Sequence, residues 1–71
     1  MIKRPYVQIR GIANEMHGTC HLETIYVAPG EEPLIERMDF ITIESLHKGM
    51  KKCIAYAKRH SYDYDANFIV L

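Results

Sequence analysis

The histidine and cysteine side chains of this 71-residue chain, four histidines and two cysteines in all, are of the types that bind zinc. Structural zinc takes four nitrogen or sulfur ligands in a tetrahedron, usually as two closely spaced pairs. His17, Cys20 and His21 lie within five residues and could supply one such pair. A second group follows along the chain: His47, Cys53 and His60. Its spacings of six and seven residues do not suit a helix, where ligands should be four apart. We therefore assign no metal ligand and keep a zinc-stabilised structural protein as the second alternative function.

The same side chains do not form a nucleophilic site. A reactive cysteine needs a base within hydrogen-bond reach, and on a strand the neighbours Cys20 and His21 point to opposite faces. Glu15 and Glu23 could act as acids, but no glycine-rich phosphate loop, nucleophile elbow or paired-carboxylate motif accompanies them. Cys20 and Cys53 both have apolar neighbours, which is typical of reduced thiols in a core. We therefore predict a protein without catalytic residues and without a cofactor.

The segment 62–67 combines aromatic rings with carboxylates. Asp63, Asp65 and Asn67 copy the first three ligand positions of a calcium-binding loop, but a phenylalanine follows where that loop requires glycine. We interpret the segment instead as a loop between a helix and a strand. Its tyrosines lose little entropy on binding, and such residues are enriched at protein interfaces. The alternative is that one tyrosine covers the core and the other is simply exposed. The predicted partner-binding residues are Tyr62, Asp63, Tyr64 and Asp65.

An amphipathic helix is predicted over residues 43–60, because apolar residues recur there at spacings of three and four. Thr42 is the expected N-cap, and Glu44 in the first turn suits the positive end of the helix dipole. Beside the apolar stripe stand five basic residues: Lys48, Lys51, Lys52, Lys58 and Arg59. They could follow a phosphate backbone or contact an acidic surface, such as residues 31–44 of a second copy. Tyr56 is the only aromatic residue among them, and nucleic-acid binding through this face is the first alternative function.

Composition places the chain among small globular proteins with a single domain, residues 1–71. Nine basic and nine acidic residues cancel, so the whole molecule has no bulk preference for nucleic acid or an anionic membrane. A hydrophobic content of 48% argues against disorder. The first ten residues lack the apolar run of a secretory signal, and no stretch approaches the roughly 20 apolar residues of a membrane span. We therefore expect a full-length cytoplasmic protein.

Alternating or β-branched segments predict four strands around the helix, at residues 5–12, 19–27, 34–41 and 68–71. In the first strand, Val7, Ile9 and Gly11 should share the buried face. The second strand has apolar residues of both parities, which indicates either a bulge or partial burial of both faces. Met38 and Phe40 are the expected core residues of the third strand, and the fourth has the composition of a buried strand.

These elements predict an α+β fold: a three-stranded antiparallel meander, one helix packed on one sheet face, and a C-terminal strand parallel to one of the first three. A single helix covers a single face, so the other face should be partly bare and open to a partner or to a second copy in a homodimer. The expected function is a non-catalytic protein-binding module, a regulator or inhibitor that occupies a surface on a larger macromolecule. In size and style the chain resembles the small accessory and inhibitor proteins encoded by phages and mobile elements.

Overall fold

The computed structural model describes residues 4–71, and the structural statements below concern that part of the chain. Its elements follow the predicted order of three strands, a helix and a fourth strand, which confirms the α+β fold. The elements are β1 (Tyr6–Asn14), β2 (Thr19–Val27), β3 (Leu34–Phe40), α1 (Ile43–Arg59) and β4 (Asp63–Val70).

The four strands form one mixed sheet in the order β3-β2-β1-β4. β1 and β2 pair antiparallel, β2 and β3 pair antiparallel, and β4 runs parallel to β1. β3 and β4 therefore run in the same direction at opposite edges of the sheet. The chain must cross the whole sheet between them, and α1 makes that crossing. One sheet face is consequently covered by the helix and the other is not.

The core lies between α1 and the two central strands. Val7, Ile9 and Gly11 share the helix-facing side of β1, as the alternation predicts. Ile9 and Leu46 are the largest fully buried side chains, one from the centre of the sheet and one from the helix. A side chain on Gly11 would collide with the sulfur of Met50, so glycine at this position lets the helix pack closely against β1.

The helix begins and ends close to the predicted residues. The Thr42 hydroxyl accepts a hydrogen bond from the Ser45 backbone amide at 3.1 Å, which satisfies one of the unpaired donors of the first turn. At the other end the backbone amide of His60 bonds back into the last turn, and Ser61 turns the chain away with a positive φ of 58°. Phe40 packs over Gly49 so closely that a Cβ added there would lie 2.7 Å from the ring carbon Cζ.

Two expectations for the strands are wrong, and one pair of alternatives is decided. β1 continues to Asn14, because its pairing with Thr19 extends to the start of a short turn. Of the two alternatives for β2, partial burial of both faces is confirmed: the register with β1 is continuous and has no bulge, and Ile25 and Val27 are half-buried on the face away from the helix. Met38 is not a core residue and is 59% exposed, because it lies on an edge strand that the helix barely covers.

The C-terminal region differs more from its prediction than the first three strands do. The segment predicted as a tyrosine-containing loop is a strand from Asp63 onward, because β1 offers it a parallel partner along its whole length. Asp63 and Asp65 face away from the helix, whereas Tyr64 and Phe68 face toward it. The last strand is also not buried as expected: Phe68 and Val70 remain exposed, because β4 is the second edge of the sheet.

The face of the sheet that α1 leaves uncovered is partly apolar and partly charged. Ile12 and Ile25 are half-buried on it, and so are Arg10, His21 and Glu23 from the two central strands. His21 Nε2 lies 2.9 Å from Glu23 Oε1 along β2. The uncovered face therefore carries its own polar contacts and is not a continuous apolar surface.

Candidate protein-binding groove

A groove of about 540 Å³ lies between the second half of α1 and the strands β2 and β3. It exists because α1 packs less against β3 than against the other strands. Phe40, at the end of β3, packs against Gly49, whereas Leu34, at the start of β3, lines the open groove. The groove is lined by Val7, Thr24, Tyr26, Leu34, Glu36, Lys52, Cys53, Tyr56 and Tyr62.

Aromatic rings dominate one end of this groove. Tyr62, which immediately precedes β4, lies 5.4 Å from Tyr26 of β2 and 6.1 Å from Tyr56 of α1, measured between ring centroids. His60 continues the cluster, stacked on Tyr62 at 5.4 Å and tilted against Tyr56 at 4.2 Å. These separations are typical of favourable aromatic pairs. Three separate chain segments thus form one aromatic surface.

The Tyr62 hydroxyl is affected by the tyrosines beside it. Its interaction with the Tyr26 side chain is the main cause that raises the pKa of the Tyr62 phenol, with burial adding to it and the Tyr56 side chain acting in the opposite direction. A phenol whose pKa is raised above its usual value of about 10 is neutral at physiological pH. Tyr62 therefore presents a neutral hydroxyl group to the groove rather than a phenolate.

Cys53 lies in the groove but is a poor nucleophile. It is half-buried, and this burial raises the pKa of its thiol, with the negative charge of Glu36 raising it further. Because the thiolate is the reactive form, a raised pKa lowers its reactivity at neutral pH. Lys52 on the helix wall and Glu36 on the strand wall give the groove one charge of each sign.

The structure separates the four predicted partner-binding residues. Tyr62 lies in the groove, whereas Tyr64 does not line it and the carboxylates of Asp63 and Asp65 lie on the opposite sheet face. Tyr26 and Tyr56 were not among the predicted site residues. No local pattern in the sequence indicates that they meet, because their contact with Tyr62 depends on the strand order and on the path of the helix.

The basic residues predicted as the alternative site are all exposed: Lys48, Lys51, Lys52, Lys58 and Arg59. At 3.6 residues per turn they lie away from the buried residues of α1, and Lys52 among them also lines the groove. Among residues 4–71 none of the five forms an ion pair. Tyr56, which could have supplied base stacking beside them, is instead part of the aromatic cluster.

The histidines and cysteines considered as zinc ligands are not brought together. The buried Cys20 faces the helix and its thiol donates a hydrogen bond to the Phe40 carbonyl at 3.3 Å, whereas His21 lies on the other face. His47 packs on the ring of Phe68. Within residues 4–71 there is no cluster of three or more histidine, cysteine or acidic side chains that could hold a metal ion.

In the described part of the chain, α1 is the only helix, and it is not long and apolar enough to cross a membrane. Comparison with known proteins finds no relative: no family model, curated protein or solved structure matches this chain.

Proposed function

We propose that this protein is a non-catalytic protein-binding module, a regulator or inhibitor that acts by holding an apolar side chain of a partner protein in the groove. The observation that carries the proposal is the convergence of Tyr26, Tyr56 and Tyr62 on a solvent-open groove with apolar walls. Three rings from three segments of so short a chain form a preorganised surface. Tyrosine is enriched at such surfaces because it supplies contact area at a low cost in conformational entropy.

The groove suits a segment of another protein because its apolar surface is exposed at the rim. Leu34 and Tyr56 are each 54% exposed at its rim, and Val7 is half-buried inside it. An apolar side chain entering between the rings would displace water from these surfaces, which favours binding by about 25 cal/mol per Å² of apolar area removed from water. Lys52 and Glu36 can bond the backbone of the same segment, the ammonium as donor and the carboxylate as acceptor.

The test compares three tagged baits in nuclease-treated lysate of the native host: the unmodified chain, Tyr56→Ser, and Tyr64→Ser as the matched control. Both tyrosines are exposed, but only Tyr56 lines the groove. We expect at least one protein to be captured by the unmodified chain and by Tyr64→Ser and to be lost from Tyr56→Ser. Equal capture by all three baits would exclude the groove as the binding site, and loss with Tyr64→Ser alone would place binding at β4.

Cys53 provides a second readout with the purified partner. Its thiol lines the groove, so an occupant of the groove should shield it from alkylation by iodoacetamide. We expect saturating partner to slow the alkylation of Cys53, measured by mass spectrometry of the digested chain. A partner that binds without changing this rate does not occupy the groove.

Nucleic-acid binding through α1 remains the second candidate function, and it is favoured by one observation. Five exposed cations lie on one helix, four of them outside the groove, and none has an ion-pair partner among residues 4–71. This function predicts an affinity for duplex or single-stranded oligonucleotides that falls steeply with salt, and a shallower salt dependence for the double variant Lys51→Glu/Lys58→Glu. Neither lysine lines the groove, so the variant separates the two functions. A salt-independent affinity would exclude this one.

A further inference from the structure

No strand within residues 4–71 pairs with the outer edge of β3, although this edge carries apolar side chains. Ile35 is 68% exposed and Met38 59% exposed, and Ile41, directly after the strand, is 94% exposed. An unpaired edge presents free backbone amide and carbonyl groups along its length, and it pairs readily with another strand. Charged residues usually discourage such pairing, so the arrangement of the charges on β3 decides which strand it accepts.

The charges of β3 are complementary to those of a second β3. Arg37 and Asp39 lie on the same sheet face, and Arg37 Nε donates to Asp39 Oδ1 at 3.2 Å within the strand. In an antiparallel pair the residues directly opposite each other share a face. A twofold axis between two β3 strands therefore runs midway between the two copies of one residue, and that residue defines the register. An axis through Met38 places each arginine opposite the aspartate of the other copy.

Four neighbouring registers of two β3 strands are less favourable. An axis through Arg37 sets two guanidinium groups opposite each other, and an axis through Glu36 or Asp39 sets two carboxylates opposite each other. Like charges directly opposite each other destabilise a strand pair. An axis through Ile35 extends the pairing into Pro33, which has no backbone amide to donate.

We infer that the partner of the β3 edge is a second copy of this chain, paired antiparallel with Met38 on the twofold axis. The two symmetric contacts between Arg37 and Asp39 form on one face, and Ile35 lies opposite Ile41 of the second copy on that face. On the helix side the two Met38 side chains meet. The result is a continuous eight-stranded sheet with the order 4-1-2-3-3-2-1-4, in which the apolar side chains at the β3 edge are covered.

This interface is the sheet edge and not the face that α1 leaves uncovered. The uncovered face has Arg10, His21 and Glu23 near its centre, and His21 already contacts Glu23. The opposite edge, β4, carries only carboxylates among its charged residues, Asp63 and Asp65, and so lacks the opposite charges that fix a register on β3. Of the two free edges, β3 is the one whose charges match those of its own copy.

The test uses purified protein alone, in sedimentation velocity over a concentration series at physiological salt. Arg37→Asp and Asp39→Arg are each expected to weaken the dimer by roughly 10- to 100-fold, because each places like charges at both symmetric contacts. An equimolar mixture of the two variants should dimerise, because each variant then meets the opposite charge in the other. Asp65→Arg on β4 is the control and should dimerise like the unmodified chain.

All three substituted positions are exposed, so circular dichroism should show that every variant is folded. A monomer at every concentration up to millimolar for the unmodified chain overturns the inference. So does a dimer that the single variants leave intact, or a mixture of them that stays monomeric. None of these measurements involves a partner protein, so the inference can fail while the proposed groove function stands, and the reverse also holds.

Discussion

Replacing Gly49 by alanine sets two opposing effects against each other at the contact between α1 and β3. In the interior of a helix, alanine is about 1 kcal/mol more favourable than glycine. The added methyl group, however, would lie 2.7 Å from Phe40 Cζ, which is closer than carbon atoms tolerate, so the ring must move. Forcing an extra methyl group into a packed site costs about 1–3 kcal/mol. We therefore expect Gly49→Ala to destabilise the protein by about 0–2 kcal/mol, despite the better helix propensity.

The double variant separates the two effects. In a Phe40→Leu background the shorter side chain does not reach Gly49, so the alanine substitution should show its propensity gain of about 1 kcal/mol. For a domain of this size, that gain corresponds to an increase in Tm of about 4–8 °C relative to Phe40→Leu alone. The difference between the two backgrounds, about 1–3 kcal/mol, is the interaction energy of the added methyl group with the ring.

The assay is thermal and urea unfolding followed by circular dichroism at 222 nm. Ala55→Gly is the control for propensity: Ala55 is exposed in the same helix, and the substitution should cost about 1 kcal/mol in either background. If Gly49→Ala raises Tm by the same amount with and without Phe40, the ring does not press on α1. Contact between Phe40 and Gly49 would then not be what closes this end of the groove.

Three further substitutions test the core, the cap and the groove. Leu46→Ala removes one of the two largest fully buried side chains and should lower the free energy of unfolding by about 2–5 kcal/mol. This loss is about as large as the whole stability of a domain this small, so circular dichroism at 25 °C should show a largely unfolded chain. Thr42→Ala should lower the free energy of unfolding by about 1 kcal/mol in urea titrations, while Thr42→Ser, which keeps the hydroxyl that accepts from Ser45, should not. Burial and the charge of Glu36 raise the pKa of Cys53, so alkylation of Cys53 should need a higher pH than alkylation of a free thiol. Glu36→Gln should shift the profile of alkylation rate against pH toward lower pH, and an unchanged profile would exclude the charge effect.

The features that the sequence predicted correctly depend on residues that are close to one another in the sequence. The helix ends within one residue of its expected end, and Thr42 caps it, because both follow from spacing and from one hydroxyl. Met38 has the parity of a core residue and does face the helix side of β3. Met38 is nevertheless exposed, because the helix covers little of this edge strand. The alternation of side chains along a strand predicts which face a residue lies on, but not whether a helix covers that face.

The residues of the groove could be predicted only in part, because their contacts depend on the strand order and not on residues that are close in sequence. Tyr62 was among the predicted partner-binding residues, but it was assigned to a loop shared with Tyr64. Asp63 starts a strand because β1 pairs with it in parallel, and this pairing joins residues more than fifty positions apart. Once β4 forms, alternate side chains point to opposite faces, so no common surface of residues 62–65 survives.

The strand order explains both the groove and the free edge. Because β3 and β4 run in the same direction at opposite edges, the connection that contains α1 must lead from the end of β3 to the start of β4 at the other end of the sheet. It is close to β3 where Phe40 meets Gly49 and distant from it at Leu34. That distant end is where β2 finishes, α1 finishes and β4 starts, which is why Tyr26, Tyr56 and Tyr62 meet there. The same connection leaves most of β3 without cover from α1, so the groove and the exposed edge able to pair with a second copy both result from it.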